Sequence, residues 1–111
     1  MAQDNLGQLE QLVMLAIGRL GDEADGAAIQ KMLEDEAGRE AAIATIYVTL
    51  VRLEGKGYVR SRRGSPTPVR GGKWRRYFRL TPKGVGALKD SHAVLARMWR
   101  SVSRLSEFKA R

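Results

Sequence analysis

Eight basic side chains fall within twenty residues, Arg60, Arg62, Arg63, Arg70, Lys73, Arg75, Arg76 and Arg79, and no acid stands among them. Such a density repels itself unless a counter-charge is near. A polyphosphate supplies one, because guanidinium and ammonium groups neutralise backbone phosphates and release their counterions. Arg70, Lys73 and Arg75 lie closest to the Gly/Pro-rich centre of the segment, GSPTPVRGG, from which they reach towards phosphates or a minor groove. A second set precedes the basic segment. Ala41, Thr45, Val48, Thr49 and Arg52 share one side of a helical wheel, with side chains that are small or hydrogen-bonding, and one arginine. A helix entering a major groove about 12 Å wide needs short side chains where its backbone approaches and a few polar ones for base edges. Thr45, Thr49 and Arg52 are therefore candidates for reading bases or holding phosphates. Tyr47 lies beside the apolar stripe, with its ring directed to the core and its hydroxyl left for a phosphate.

The elements that position these groups follow from periodicity. Leu6, Leu9, Val13, Ala16, Ile17 and Leu20 predict an amphipathic helix over 6–20, closed by Gly21. After the acidic turn DEADG, Ile29, Met32 and Leu33 mark a shorter helix to about Ala37, ended by Gly38. The third helix, about 41–55, turns Ile43, Ile46, Leu50 and Leu53 to the core. YVRSRR and KWRRYFRL, flanking the Gly/Pro stretch, read as a β-hairpin with a long loop in which Phe78 and Leu80 cap the core. Thr81-Pro82 starts a last helix, Thr as cap and Pro at the first position. Val85, Leu88, His92, Leu95, Trp99 and Val102 repeat along it for about 25 residues, with Met98 and Leu105 alongside. The rest of so small a domain has too little surface to cover that stripe, so a second copy of the chain is implied. The first helix has apolar residues to spare for clasping the partner's last helix. Leu95, Met98 and Trp99 are candidates for the dimer interface or for binding an effector, since a seam tryptophan can stack a flat molecule as well as pack.

Composition bounds the function. The chain has 111 residues, a net charge of +8, no cysteine and one histidine. Residues 1–40 hold nine acids against three bases, a net of −6, which leaves +14 for the remainder. That polarity turns one face towards a polyanion. Disulfides and thiolate metal sites are excluded, and His92 on an apolar stripe gives no metal site. No carboxylates cluster on the basic side and no phosphate-cradling Gly-rich motif is present, which argues against a nuclease or other enzyme and against a bound cofactor. The run Ala41–Val51 is far short of the about 20 residues a bilayer requires, and the N-terminus has no signal-peptide pattern, so a cytoplasmic location without membrane contact is expected.

Taken together, Thr45-Ile46-Tyr47, Thr49-Leu50, Arg52-Leu53-Glu54, Gly57-Tyr58-Val59, Arg76-Tyr77-Phe78-Arg79-Leu80-Thr81 and Gly84 make the chain resemble the PadR-like transcriptional regulators over about residues 8–105. Pro66-Thr67-Pro68 with Arg70-Gly71-Gly72 is similar to the loop of short-tailed members. The resemblance implies an α+β fold, a winged helix-turn-helix over residues 1–81 with a C-terminal dimerisation helix over 82–111. It further implies a homodimer on double-stranded DNA, a third helix reading the major groove, a basic wing on flanking backbone or minor groove, repression, and release by a small aromatic effector. Arg52 then divides evenly between DNA and an ion pair within its Arg-Leu-Glu triplet. Two positions depart from the family pattern: Val48 stands where many members have Pro, and Asp25 where many have Tyr. A rival expectation is a sequence-neutral architectural protein in which the basic wing dominates.

Overall fold

The computed structural model describes residues 6–66, 74–100 and 102. Three helices come first: α1 (Gln8–Leu20), then α2 (Gly26–Ala37) after a short 3-10 turn at Gly21–Glu23, then α3 (Ile43–Gly55). A two-stranded antiparallel hairpin follows, β1 (Val59–Pro66) and β2 (Trp74–Leu80), and α4 (Pro82–Arg100) ends the described chain. The expected helix boundaries hold to within a few residues. The start of α2 is set by Asp25, which caps it, its carboxylate accepting the Ala28 N–H at 2.8 Å.

The core is built where the stripes of the three helices meet: Val13, Met14 and Ile17 of α1, Ile29 and Leu33 of α2, Ile46, Leu50 and Leu53 of α3 are all buried, closed over by Val59 and Phe78 of the hairpin. Leu80 packs half-buried against the same cluster. Ile43 is not part of it. That residue, expected on the core side, is 42% exposed in the first turn of α3, about 60° around the helix from Ile46 and so at the edge of the buried stripe.

The strands register Val59 on Leu80, Ser61 on Phe78 and Arg63 on Arg76, with a bulge between Arg63 and Pro66. A third segment joins β2 from the other side. Ala24 accepts the Phe78 N–H at 2.9 Å and Asp25 bridges Tyr77, so the turn between α1 and α2 is sewn to the sheet.

Two glycines hold the join between α3, the hairpin and α4. Gly57 takes φ +81°, a left-handed conformation that turns the chain from α3 into β1. Its carbonyl accepts the Thr81 hydroxyl at 2.7 Å, and the same hydroxyl accepts the Gly84 N–H at 3.0 Å, capping α4. Gly84 is buried against the backbone carbonyl of Tyr58, where a Cβ has no room. Gly84→Ala is therefore expected to lower the unfolding free energy by about 2 kcal/mol, since backbone rather than a flexible side chain must move. Urea unfolding checks this, and an unchanged midpoint would show that α4 can lift from β1 without cost.

Candidate nucleic-acid interface

The rotation of α3 decides what the molecule offers. With Ile46, Thr49, Leu50 and Leu53 buried, the centre of its solvent side is Ala44, Val48, Val51 and Gly55. Thr45 and Arg52 flank this row on one edge and Tyr47 on the other. Val48 is 57% and Val51 69% exposed. Thr49 departs from the expected arrangement. It is only 2% exposed, and its hydroxyl donates to the Thr45 carbonyl at 2.9 Å, so it belongs to the buried stripe and satisfies its polar atom within the helix. Val51 was missed by wheel reasoning that started from the polar residues.

The C-terminal end of α3 is fixed by a buried carboxylate. Glu10 of α1 accepts the Gly7 N–H at 2.9 Å and holds Lys56, just after α3, at 3.1 Å. Arg52 approaches the same oxygen at 3.9 Å with its side chain half exposed, a contact worth little, which leaves its guanidinium available to an anion. Arg52 thus pairs with α1 rather than with Glu54 of its own triplet. Burial alone raises the Glu10 carboxyl, but the Gly7 hydrogen bond, the Lys56 hydrogen bond and the charges of Lys56 and Arg52 outweigh it and hold the group below its ordinary value.

Tyr47 lies edge-on to Phe78, ring centroids 6.4 Å apart, with its hydroxyl end over Gly26. Between α3 and β2 opens a cleft of about 480 Å³, floored by Leu50 and Phe78 and lined by Tyr47, Val51, Arg75 and Arg76. The open side of α3 and two wing arginines therefore share one surface. Arg75 spans the cleft's edge to Asp25 at 2.6 Å, and that hydrogen bond and charge raise its already basic guanidinium further. Arg70 and Lys73, and with them Gly71 and Gly72, lie outside the described residues.

Four further cations of the hairpin divide into two groups. Arg62 stacks 4.8 Å over the Tyr77 ring and donates to the Asp22 carbonyl at 3.3 Å. Arg76 donates to Ser61 at 2.9 Å, and Ser61 in turn to Glu54 at 2.9 Å. Arg60 and Arg79, by contrast, are exposed, face each other directly across the ladder and make no ion pair among the described residues. Sequence reasoning counted both without singling them out, because only the register places them opposite one another.

On α4, Leu95, Met98 and Trp99 are all more than half exposed, and with Val102 they line a shallow cleft of about 220 Å³. Ala87 and Leu88 still pack against the core, so the exposed stripe begins beyond them. His92 is exposed as well. Leu105 lies outside the described residues. Among the described residues no helix is long and apolar enough to cross a membrane, and no group of three or more His, Cys, Asp or Glu side chains could hold a metal.

The model of the transcriptional regulator PadR-like family matches residues 14–90. The chain belongs to the PadR-like family. A PadR family transcriptional regulator from Eggerthella lenta is 31% identical, over 92% of this chain and 88% of that one, with a TM-score of 0.68. A PadR-like transcription factor from Bacteroides fragilis is 27% identical, over 89% and 90%, with a TM-score of 0.71. Bacillus subtilis PadR, solved in complex with operator DNA, shares the fold at 24% identity and a TM-score of 0.58, over 74% of this chain and 46% of that one. No curated protein matches the sequence. This PadR-like chain is thus a transcriptional regulator with a winged-helix, α+β architecture and a C-terminal helix.

Two measurements check the site's electrostatics. Because the folded-state pKa of Glu10 is lowered, its charge stabilises the fold above about pH 4.5, the ordinary glutamate value, and that contribution is lost as the pH falls through the folded value. Glu10→Gln should therefore cost about 1–2 kcal/mol at pH 7 and progressively less as the pH falls below about 4.5. An equal cost on both sides of that pH in denaturant unfolding would exclude the charge as the cause. Arg79→Glu, which places an acid opposite Arg60, is expected to raise the unfolding free energy by about 0.5 kcal/mol, and a loss would mean the like-charged pair is not strained.

Proposed function

We propose that the chain is a sequence-specific DNA-binding regulator that represses as a homodimer on a pseudo-palindromic operator. The observation that carries this reading is the bare, short-chained side of α3 beside a cleft edged by Arg75 and Arg76. Short side chains let the helix backbone approach base edges, and the cations fix its register on the phosphates. The operator complex of Bacillus subtilis PadR supports the same role for DNA here. In this reading Thr45 meets base edges at the margin of the helix, Arg52 and the Tyr47 hydroxyl meet phosphates, and Arg75, with Arg70 and Lys73, serves the wing. Thr49 shapes the helix from inside. Arg60 and Arg79 join the phosphate contacts, an unfavourable pair in the free protein relieved by an anion.

Residues 1–81 form the DNA-binding unit and 82–111 the pairing element. The exposed Leu95, Met98 and Trp99 lie against the same stripe of a second copy, and their cleft is the place for a small aromatic effector that releases DNA. Sedimentation should give a dimer at micromolar concentration, reduced to monomer by Trp99→Glu. A monomeric parent chain would contradict the pairing.

Selection of bound duplexes from a random pool tests the central reading. The enriched duplex is expected to bind at least about 10³-fold more tightly than a scrambled one at equal salt, with affinity falling by about 10³ or more between 50 and 200 mM for about eight phosphate contacts. A ratio near one would instead establish a sequence-neutral, architectural binder dominated by the basic hairpin.

A further inference from the structure

The centre of the exposed side of α3 contains no group that can donate or accept a hydrogen bond from a side chain. Ala44, Val48, Val51 and Gly55 occupy it, and the polar residues Thr45, Arg52 and Tyr47 stand only at its margins. Val48 and Val51 are among the most exposed large aliphatic side chains of the described structure, at the place where a major groove would press closest. A valine facing a base edge leaves that edge's donors and acceptors unpaired unless the edge is apolar. One base of ordinary DNA presents an apolar group there: thymine, through its C5 methyl.

We infer that Val48 and Val51 determine sequence specificity by packing on thymine methyl groups, so that the centre of each half-site is read by its thymines rather than by hydrogen bonds. The inference rests on the DNA-binding reading above and names what that site recognises. Charge favours DNA over a protein as the occupant: Arg52 borders this apolar row with its side chain half exposed, Arg75 and Arg76 line the adjoining cleft beside Asp25 and Glu54, and residues 41–111 carry a net +14. The spacing agrees. Val48 and Val51 are about 4.5 Å apart along the helix axis, against about 3.4 Å per base pair, so they meet methyls one or two steps apart.

The test uses the full chain and the duplex enriched from the random pool. Each thymine of a half-site is replaced in turn by deoxyuridine, which removes the C5 methyl and leaves every hydrogen-bonding group in place. Two positions, one or two steps apart, should each weaken binding about fourfold, the value of one buried methyl-sized group. In the Val48→Ala and Val51→Ala variants, whose side chains are exposed and whose folds should be unchanged by circular dichroism, the deoxyuridine penalty at the matching position should disappear. An enriched duplex that binds equally well with deoxyuridine at every position would overturn the inference while leaving specific DNA binding intact. Absence of any enriched sequence would overturn both. Variants that alter the sedimentation coefficient but not DNA affinity would assign this face to a protein contact and also overturn it.

Discussion

Everything this chain presents to its surroundings depends on the burial of one side of α3. Ile46, Leu50 and Leu53 are withdrawn from water against α1, α2 and the hairpin, and burial of such side chains is worth about 1.5–3 kcal/mol each. That preference fixes the helix's rotation, and with it the identity of the residues left outside. A turn of one residue would bury Val51 but bring Ile46 and Leu53 to the places of the exposed Thr45 and Arg52. Thr49 can stay inside because its hydroxyl is bonded within the helix.

A second constraint comes from charge. The structure gives three arginines of this basic hairpin partners within the fold: Asp25 for Arg75, the Ser61–Glu54 relay for Arg76, and the Tyr77 ring with the Asp22 carbonyl for Arg62. Asp25 does two things at once, capping α2 and anchoring β2. Glu10 plays the matching part at the other end of α3 through Lys56.

The periodic parts of the fold were legible in the sequence, because apolar residues at three- and four-residue steps leave a helix one way to face its core. So were the Thr81 cap, the break at Gly57 and the alternation that sends Phe78 inward. Thr49 was not, since it lies only about 40° around the helix from Leu53 and polarity is a poor guide so close to a stripe's edge. Ile43 failed in the opposite sense, being apolar but about 60° around the helix from Ile46, at the stripe's edge. The ties between Glu10 and Lys56 and between Asp25 and Arg75 join residues about half a chain apart, and no local pattern announces them. The same holds for Arg60 opposite Arg79, which only strand register reveals.

The surface proposed to engage DNA is the open side of α3 with the neighbouring wing arginines. Amide chemical-shift mapping during titration of a selected duplex tests it most directly. The prediction is that the largest changes fall on Ala44, Thr45, Val48, Val51, Arg52 and Arg75, with Leu95, Met98 and Trp99 little affected. Changes concentrated on α4, with α3 unmoved, would contradict it.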